Sequence, residues 1–166
     1  MELPIETSDG RFVARYSPKG LAGLEFPATA KPRPQNGEPV ATTPRIRNWH
    51  RIASRALAWA VAGRPPGKLP PLDLSAGTDF QKQVWNALRT IGRGRTRSYG
   101  DVARAIGKAG AVRAVGRACG ANPIPVFVPC HRVLAANRQL GGFSGGLDWK
   151  RKLLAREGVR VSDETR

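Results

Sequence analysis

Between residues 63 and 77 the chain holds four prolines and three glycines, a density that neither a helix nor a strand accommodates. Whatever this sequence builds is divided there, into a unit spanning 1–75 with its linker and a second spanning 76–166. The 166 residues, 40% of them apolar, suffice for one ordinary domain or two small ones. With 19 glycines and 14 prolines the composition is rich in loops but short of low complexity, so packed structure with long connections is expected.

Before the break, the runs Pro4–Thr7, Phe12–Tyr16 and Leu21–Phe26 are separated by Ser8-Asp9-Gly10 and Pro18-Lys19-Gly20, which predicts an antiparallel meander. Ala28 to Arg45, with Pro32, Pro34, Pro39 and Pro44, reads as an irregular connection. Ile46, Trp49, Ile52, Ala53, Ala56, Leu57 and Ala60 recur at three and four residues and predict an amphipathic helix packed on the meander. The first unit is therefore α+β.

After the break, Thr78 with Gln81 forms a capping-box signature, and Phe80, Val84, Trp85 and Leu88 give the helix it opens one apolar face. A basic loop with Arg93, Arg95 and Arg97 leads to Ser98-Tyr99-Gly100. Helices over 101–106 and 111–120, joined through Gly107 and Gly110, have the dimensions of a helix-turn-helix. On the second of them Arg113 and Arg117 share one face, and Val112 and Val115 lie on another. Asn122-Pro123-Ile124-Pro125 stops that helix. The apolar run Val126-Phe127-Val128 then reads as a buried extended strand leading into Pro129-Cys130-His131-Arg132. A helix from Leu147 to Glu157, stopped by Gly158, closes a mostly helical second unit.

The formal net charge is +16, and a polyanionic partner, nucleic acid foremost, is the expectation. Residues 86–166 carry 16 basic and 5 acidic side chains, against 12 and 7 in residues 1–85, so the second unit is where that partner should dock. Arginine outnumbers lysine 21 to 7, which favours bidentate phosphate contacts. A merely solubilising surface is the alternative. Two cysteines and two histidines, without C-x-x-C or H-x-x-x-H spacing, do not make a standard zinc site, and neither metal nor cofactor is expected. There is no apolar stretch of signal-peptide or membrane-span length, so a soluble cytoplasmic, nucleoid-associated protein with reduced thiols is expected.

Cys130 is the candidate nucleophile, because a neighbouring histidine and a positive surrounding both favour thiolate. Against this, a free cysteine commonly packs inertly in a core. If the segment is extended, Cys130 and His131 point to opposite faces, and a water or a bend must link them. Gly142-Phe143-Ser144-Gly145-Gly146 also matches the G-x-S-x-G elbow of serine hydrolases. That reading needs a histidine after the serine, and both His50 and His131 precede Ser144.

In order along the chain, Gly77-Thr78-Asp79-Phe80-Gln81 with Val84-Trp85, Thr96-Arg97-Ser98-Tyr99-Gly100, Arg113-Ala114-Val115-Gly116, Asn122-Pro123, Pro129-Cys130-His131-Arg132-Val133, and Ser144-Gly145-Gly146 with Leu153-Leu154 and Glu157-Gly158 resemble the O6-alkylguanine-DNA alkyltransferase family. The resemblance covers roughly residues 75–158. It implies a ribonuclease-H-like first domain and a winged helix-turn-helix in the second. It also implies a stoichiometric, self-consuming transfer of an alkyl group from O6-alkylguanine in duplex DNA, with O4-alkylthymine a further candidate lesion, by a monomer without membrane association. Carried over position by position, Cys130 is the acceptor, activated through a water by His131, which Glu157 orients. Asn122 supports the turn around the site, and Tyr99 hydrogen-bonds the base or leaving nitrogen. Arg113 fills the gap left by the extruded nucleotide, while Arg97, Ser98, Tyr99, Ala114 and Arg117 contact DNA. Val133, Phe143, Ser144, Cys119 and Pro125 form the pocket, with the carbonyls of Cys130 and Val133 reading the guanine amino group.

Extrusion is chemically required, because O6 lies inside the duplex. The resemblance is not complete. Gly92-Arg93-Gly94 stands where the family has a proline and an aromatic residue, Phe143 replaces a tyrosine, and Cys119 adds a second thiol on the recognition helix. A non-catalytic lesion sensor, a helix-turn-helix regulator with a structural Cys130, and a thiol hydrolase are the alternatives.

Overall fold

A computed structural model describes residues 1–27 and 42–162. The connection expected over Ala28 to Arg45 lies mostly outside the described residues. Strands β1 (Glu2–Thr7), β2 (Gly10–Ser17) and β3 (Gly20–Glu25) form the expected meander in the order β1-β2-β3, all antiparallel. Ile5 lies opposite Phe12 and Ala14 opposite Leu24. Alternation along β2 buries Phe12, Ala14 and Tyr16 on one face. Helix α1 (Pro44–Val61) begins where Thr43 Oγ1 accepts from the Ile46 amide and proline occupies the first turn, and its stripe of Trp49, Ile52, Ala53, Ala56, Leu57 and Val61 is buried.

In the second unit both ends of the Thr78–Gln81 capping box close over α2 (Asp79–Leu88). Ser98 and Asp101 form a second box on α3 (Tyr99–Ala105), and α4 (Val112–Gly120) follows a turn with Gly107 at φ 74°. The expected helix-turn-helix is therefore α3-turn-α4. Two-residue strands β4 (Arg97–Ser98) and β5 (Val133–Leu134) pair in parallel and tie the start of α3 to the segment just after Cys130. Helix α5 (Leu147–Arg156) ends with Glu157 as its cap and Gly158 at φ 80°.

One expectation fails. Residues 126–128 are not a strand: the backbone turns at Val126, which takes φ 77°, and the Val128 amide returns to the Ile124 carbonyl at 2.9 Å. The cause is local. Pro123 and Pro125 have no amide to offer a ladder, and Asn122 takes two further groups, its Nδ2 donating to Val128 O at 2.8 Å and its Oδ1 accepting from Ile124 N at 3.0 Å. The chain therefore loops back on itself, and Cys130–Arg132 is a single 3-10 turn rather than an extended segment.

The two units wrap around a shared interior. One contiguous buried cluster runs from Ile5 and Phe12 through Leu57, Trp85 and Val115 to Cys130 and Leu153. Phe12 and Phe26 of the first unit meet Trp149 of α5 with ring centroids 5.4 and 5.1 Å apart. Leu24 N donates to Pro123 O at 2.9 Å, and Asp9 is clasped by Arg156 at 2.7 and 2.9 Å. Among the described residues no helix is long and apolar enough to cross a membrane.

Candidate active site

Cys130 opens the 3-10 turn at the floor of a hollow of about 480 Å³. Tyr99, Gly116, Cys119, Gly120, Gly142, Phe143 and Ser144 make its walls, a size within the usual range for small-molecule pockets. Cys130 is only 4% exposed, and it lines that hollow. Burial pushes its pKa up to about 11, while a hydrogen bond from Asn122 and the charge of Lys150 pull the other way.

His131, next in sequence, turns into the protein and is 1% exposed. Its Nε2 lies 3.0 Å from Glu157 Oε1, and Arg132 grips the same carboxylate through Nε to Oε2 at 3.0 Å and Nη2 to Oε1 at 2.8 Å. Burial works against ionising Glu157, but the hydrogen bonds from His131 and Arg132 prevail and its pKa falls to about 2. Burial also lowers the His131 pKa, against the pull of Glu157. At neutral pH the pair is therefore a neutral imidazole donating Nε2–H to a carboxylate, which fixes the tautomer and leaves a lone pair on Nδ1. That Nδ1 is buried and has no hydrogen-bond partner among the described residues. An unpartnered basic nitrogen on the residue after the cysteine has the lone pair that a proton acceptor requires.

Lys150 is a member of this site that the sequence reading misses. On α5 it is fully buried, with Nζ donating to Val133 O at 2.7 Å and to Gly142 O at 3.2 Å, and standing 6.0 Å from the Tyr99 ring centroid. One ammonium thus fastens the segment after Cys130 to the Gly142–Gly146 wall. Desolvation lowers its pKa to about 8, and the charges of both cysteines oppose that change. A signal is present in the sequence: Lys150 lies three and four residues before Leu153 and Leu154, on the apolar stripe of α5.

Phe143 rests edge-on against Phe26 at 5.4 Å, so the residue just past β3 supports this wall from the first unit. Gly145 has no room for a Cβ, which would stand 2.6 Å from the Phe26 ring. Tyr99 begins α3 and faces the hollow, half-buried, with its pKa raised to about 12 by burial first and then by the two cysteines. Cys119 lines the same hollow, its thiol pushed by burial to about 12.

Two of the expected pocket residues stand off the lining of this hollow. Pro125 lines a separate hollow of about 250 Å³ beyond Ser144, because the turn at Val126 carries it to the far side. Val133 is buried outside the lining, and its carbonyl already accepts from Lys150. Ser144 is exposed and lines both hollows, but the two histidines bond Tyr16 and Glu157, so the serine-hydrolase arrangement is absent among the described residues. Arg97, Arg113 and Arg117 are exposed and Ala114 is half-buried, with the arginines free to meet an anion. The Ser98 hydroxyl is engaged as the α3 cap. Among the described residues no cluster of His, Cys, Asp and Glu could hold a metal.

Comparison with known proteins agrees with this geometry. The profile of the family described as "6-O-methylguanine DNA methyltransferase, DNA binding domain" matches residues 79–159. A methylated-DNA-protein-cysteine methyltransferase from Mycolicibacterium paratuberculosis is 53% identical over 94 residues, 55% of this chain and 57% of that protein, so the match spans little more than half of the relative. One from Methanosarcina acetivorans is 50% identical over 111 residues, 65% of this chain and 69% of its own length. The crystal structure of Mycobacterium tuberculosis OGT in complex with DNA superposes with a TM-score of 0.74 at 38% identity, covering 93% of this chain and 90% of that one. On identity and coverage of this extent, the chain belongs to the methylated-DNA-protein-cysteine methyltransferase family.

Proposed function

We propose that this protein repairs DNA directly, moving an alkyl group from O6 of an extruded guanine to the sulfur of Cys130 and being consumed in the process. The observation that carries the reading is the buried, unpartnered Nδ1 of His131, whose Nε2 is held by Glu157, on the residue that follows a cysteine lining a pocket. Burial keeps the resting thiol protonated, so the nucleophile is generated in place: its proton passes through a water to Nδ1 while the imidazolium is stabilised by the Glu157 carboxylate. The sulfur–carbon bond forms as the carbon–O6 bond breaks, and the guanine takes up a proton at nitrogen, so charge balances. Tyr99, kept protonated by its raised pKa, hydrogen-bonds the departing base. The thioether has no route back.

Arg113 occupies the stack vacated by the nucleotide, with Arg97, Arg117, Ser98 and Ala114 along the duplex, and Asn122 holds the turn beneath Cys130. Val133 reads the guanine amino group through the carbonyl lone pair that Lys150 leaves free. A double-stranded DNA partner puts the protein in the cytoplasm, with the nucleoid. Incubation with O6-benzylguanine is expected to add one benzyl group, mapped to the Cys130 peptide by mass spectrometry. An unmodified intact mass, or equal labelling of Cys130→Ser, rejects the proposal.

A further inference from the structure

From residue 39 to residue 72 the sequence contains no Asp or Glu, yet Arg45, Arg47, Arg51, Arg55, Arg64 and Lys68 all fall there. The fold gathers this charge instead of dispersing it. Arg47, Arg51 and Arg55 are exposed on α1 at intervals of four residues, which places them along one side of the helix at steps of about 6 Å. Three acidic groups of the first unit are occupied elsewhere: Glu6 by Arg11, Asp9 by Arg156 and Lys152, and Asp73 by Ser17 and Ser75. Among the described residues none of the three arginines meets a carboxylate. Among those residues Arg47 donates to Thr42 O, and Arg51 to Asn48 Oδ1 at 3.0 Å.

Within the isolated chain this arrangement is electrostatically unfavourable. Arginines four apart on a helix repel. Arg45 and Arg47 also sit in the first turn, at the positive end of the helix dipole, where α1 has no acidic residue to compensate. Two guanidiniums are held in place rather than left to wander: Arg55 and Arg64 stack over the Trp59 ring at 5.6 and 5.0 Å from its centroid. Past the end of α1 the ridge continues, because Arg93 Nε donates to Gly63 O and brings the loop that leads into α3 beside Arg64. The exposed side of α1 carries no large apolar residue, and the exposed large hydrophobics, Val112 and Leu147, lie on α4 and α5. That excludes an amphipathic membrane-binding face. A straight row of like-charged, bidentate donors suits a regular polyanion.

We propose that α1 is a second duplex-binding surface, on which Arg47, Arg51 and Arg55, continued by Arg64, hold the phosphate backbone of DNA beyond the segment engaged by α4. This rests on the DNA-directed reading of α4 and gives the first unit a task that no residue of the alkyl-transfer site performs.

The test compares the full-length protein with the triple variant Arg47→Gln, Arg51→Gln, Arg55→Gln and with a charge-matched control, Arg11→Gln, Lys19→Gln, Lys82→Gln. Binding to an undamaged duplex is titrated across salt, and reaction with free O6-benzylguanine reports an intact fold and site. The log–log salt slope of the α1 variant is expected to fall by about two to three relative to wild type, at roughly 0.9 for each phosphate no longer neutralised. The control should keep the wild-type slope, and all three proteins should react equally with the free base. An α1 variant with the wild-type slope, or an equal fall in the control, overturns the proposal. Wild-type protein whose DNA binding ignores salt, while the free base still labels it, overturns phosphate-driven docking on α4 and α1 together.

Discussion

Arg156 and Glu157 are neighbours in the chain, and each joins an arginine–carboxylate pair, but the two pairs do different work. Arg156 reaches outward to Asp9 and to Val61 O, clasping the first unit to the end of α5 where part of the guanidinium stays in water. Glu157 turns inward to Arg132 and His131, with its side chain 6% exposed. With the Arg156 side chain 33% exposed, solvent weakens the outer pair, which serves as a clasp between the units. Desolvation makes the inner pair consequential: two donors hold the carboxylate ionised, and the carboxylate in turn fixes which histidine nitrogen stays basic. The contrast shows that a chemical role follows from burial and from the third partner, not from the ion pair as such.

The sharpest way to break this comparison is to neutralise each acid. Glu157→Gln is expected to slow benzyl transfer from O6-benzylguanine on the order of 100-fold in single-turnover assays, because the imidazolium loses its counter-charge. Asp9→Asn should leave that rate at the wild-type value; a comparable loss there would erase the distinction. A smaller effect is expected at Lys150. Lys150→Met removes a cation that touches both pocket walls and raises the pH needed for thiolate, so transfer at pH 7 should slow about tenfold for every pH unit by which that threshold rises. Lys150→Arg should recover much of the rate, and the Met and wild-type profiles should converge above pH 9, because the wild-type ammonium is itself lost as pH rises through about 8. Parallel profiles at all pH would show that Lys150 only props the walls.

Stability against pH tests the same inner cluster. His131 has a depressed pKa, so its contribution is present above the unfolded value of 6.5 and is lost as pH falls below it. Glu157 contributes above 4.5, a share lost as pH falls from there toward about 2. Urea unfolding midpoints should therefore drop in two stages on acidification, and Glu157→Gln should flatten the second; a single stage unaffected by the variant contradicts the assignment. The smallest effect belongs to the outer pair: Asp9→Asn should cost about 1 kcal/mol in urea unfolding, and less at high salt.

Legibility in the sequence follows the range of the interactions. The α2 capping box, the stripe of α1 and the Gly158 stop are decided within a few residues, and each is readable from the residues alone. The turn at Val126 is not, because an apolar run of β-branched and aromatic residues reads as strand until Asn122 is seen to take both groups that a strand would pair. Cys130, His131 and Glu157 come together in the sequence only through family resemblance. Their geometry adds the reason that adjacency is no obstacle: the 3-10 turn lets thiol and imidazole leave the backbone in directions an extended segment forbids. For Lys150 the sequence offers only its place on the apolar stripe of α5, and its burial depends on carbonyls 17 and 8 residues away. The Asp9–Arg156 clasp bridges 147 residues and has no local signal.

The most direct measurement is transfer of an isotopically labelled methyl group from O6-methylguanine in a duplex oligonucleotide to the protein, followed by peptide mapping. One methyl per molecule, all on the Cys130 peptide and with the oligonucleotide returned as unmodified guanine, is the expected result. Label that stays on the DNA, exceeds one equivalent, or resides on Cys119 would contradict it.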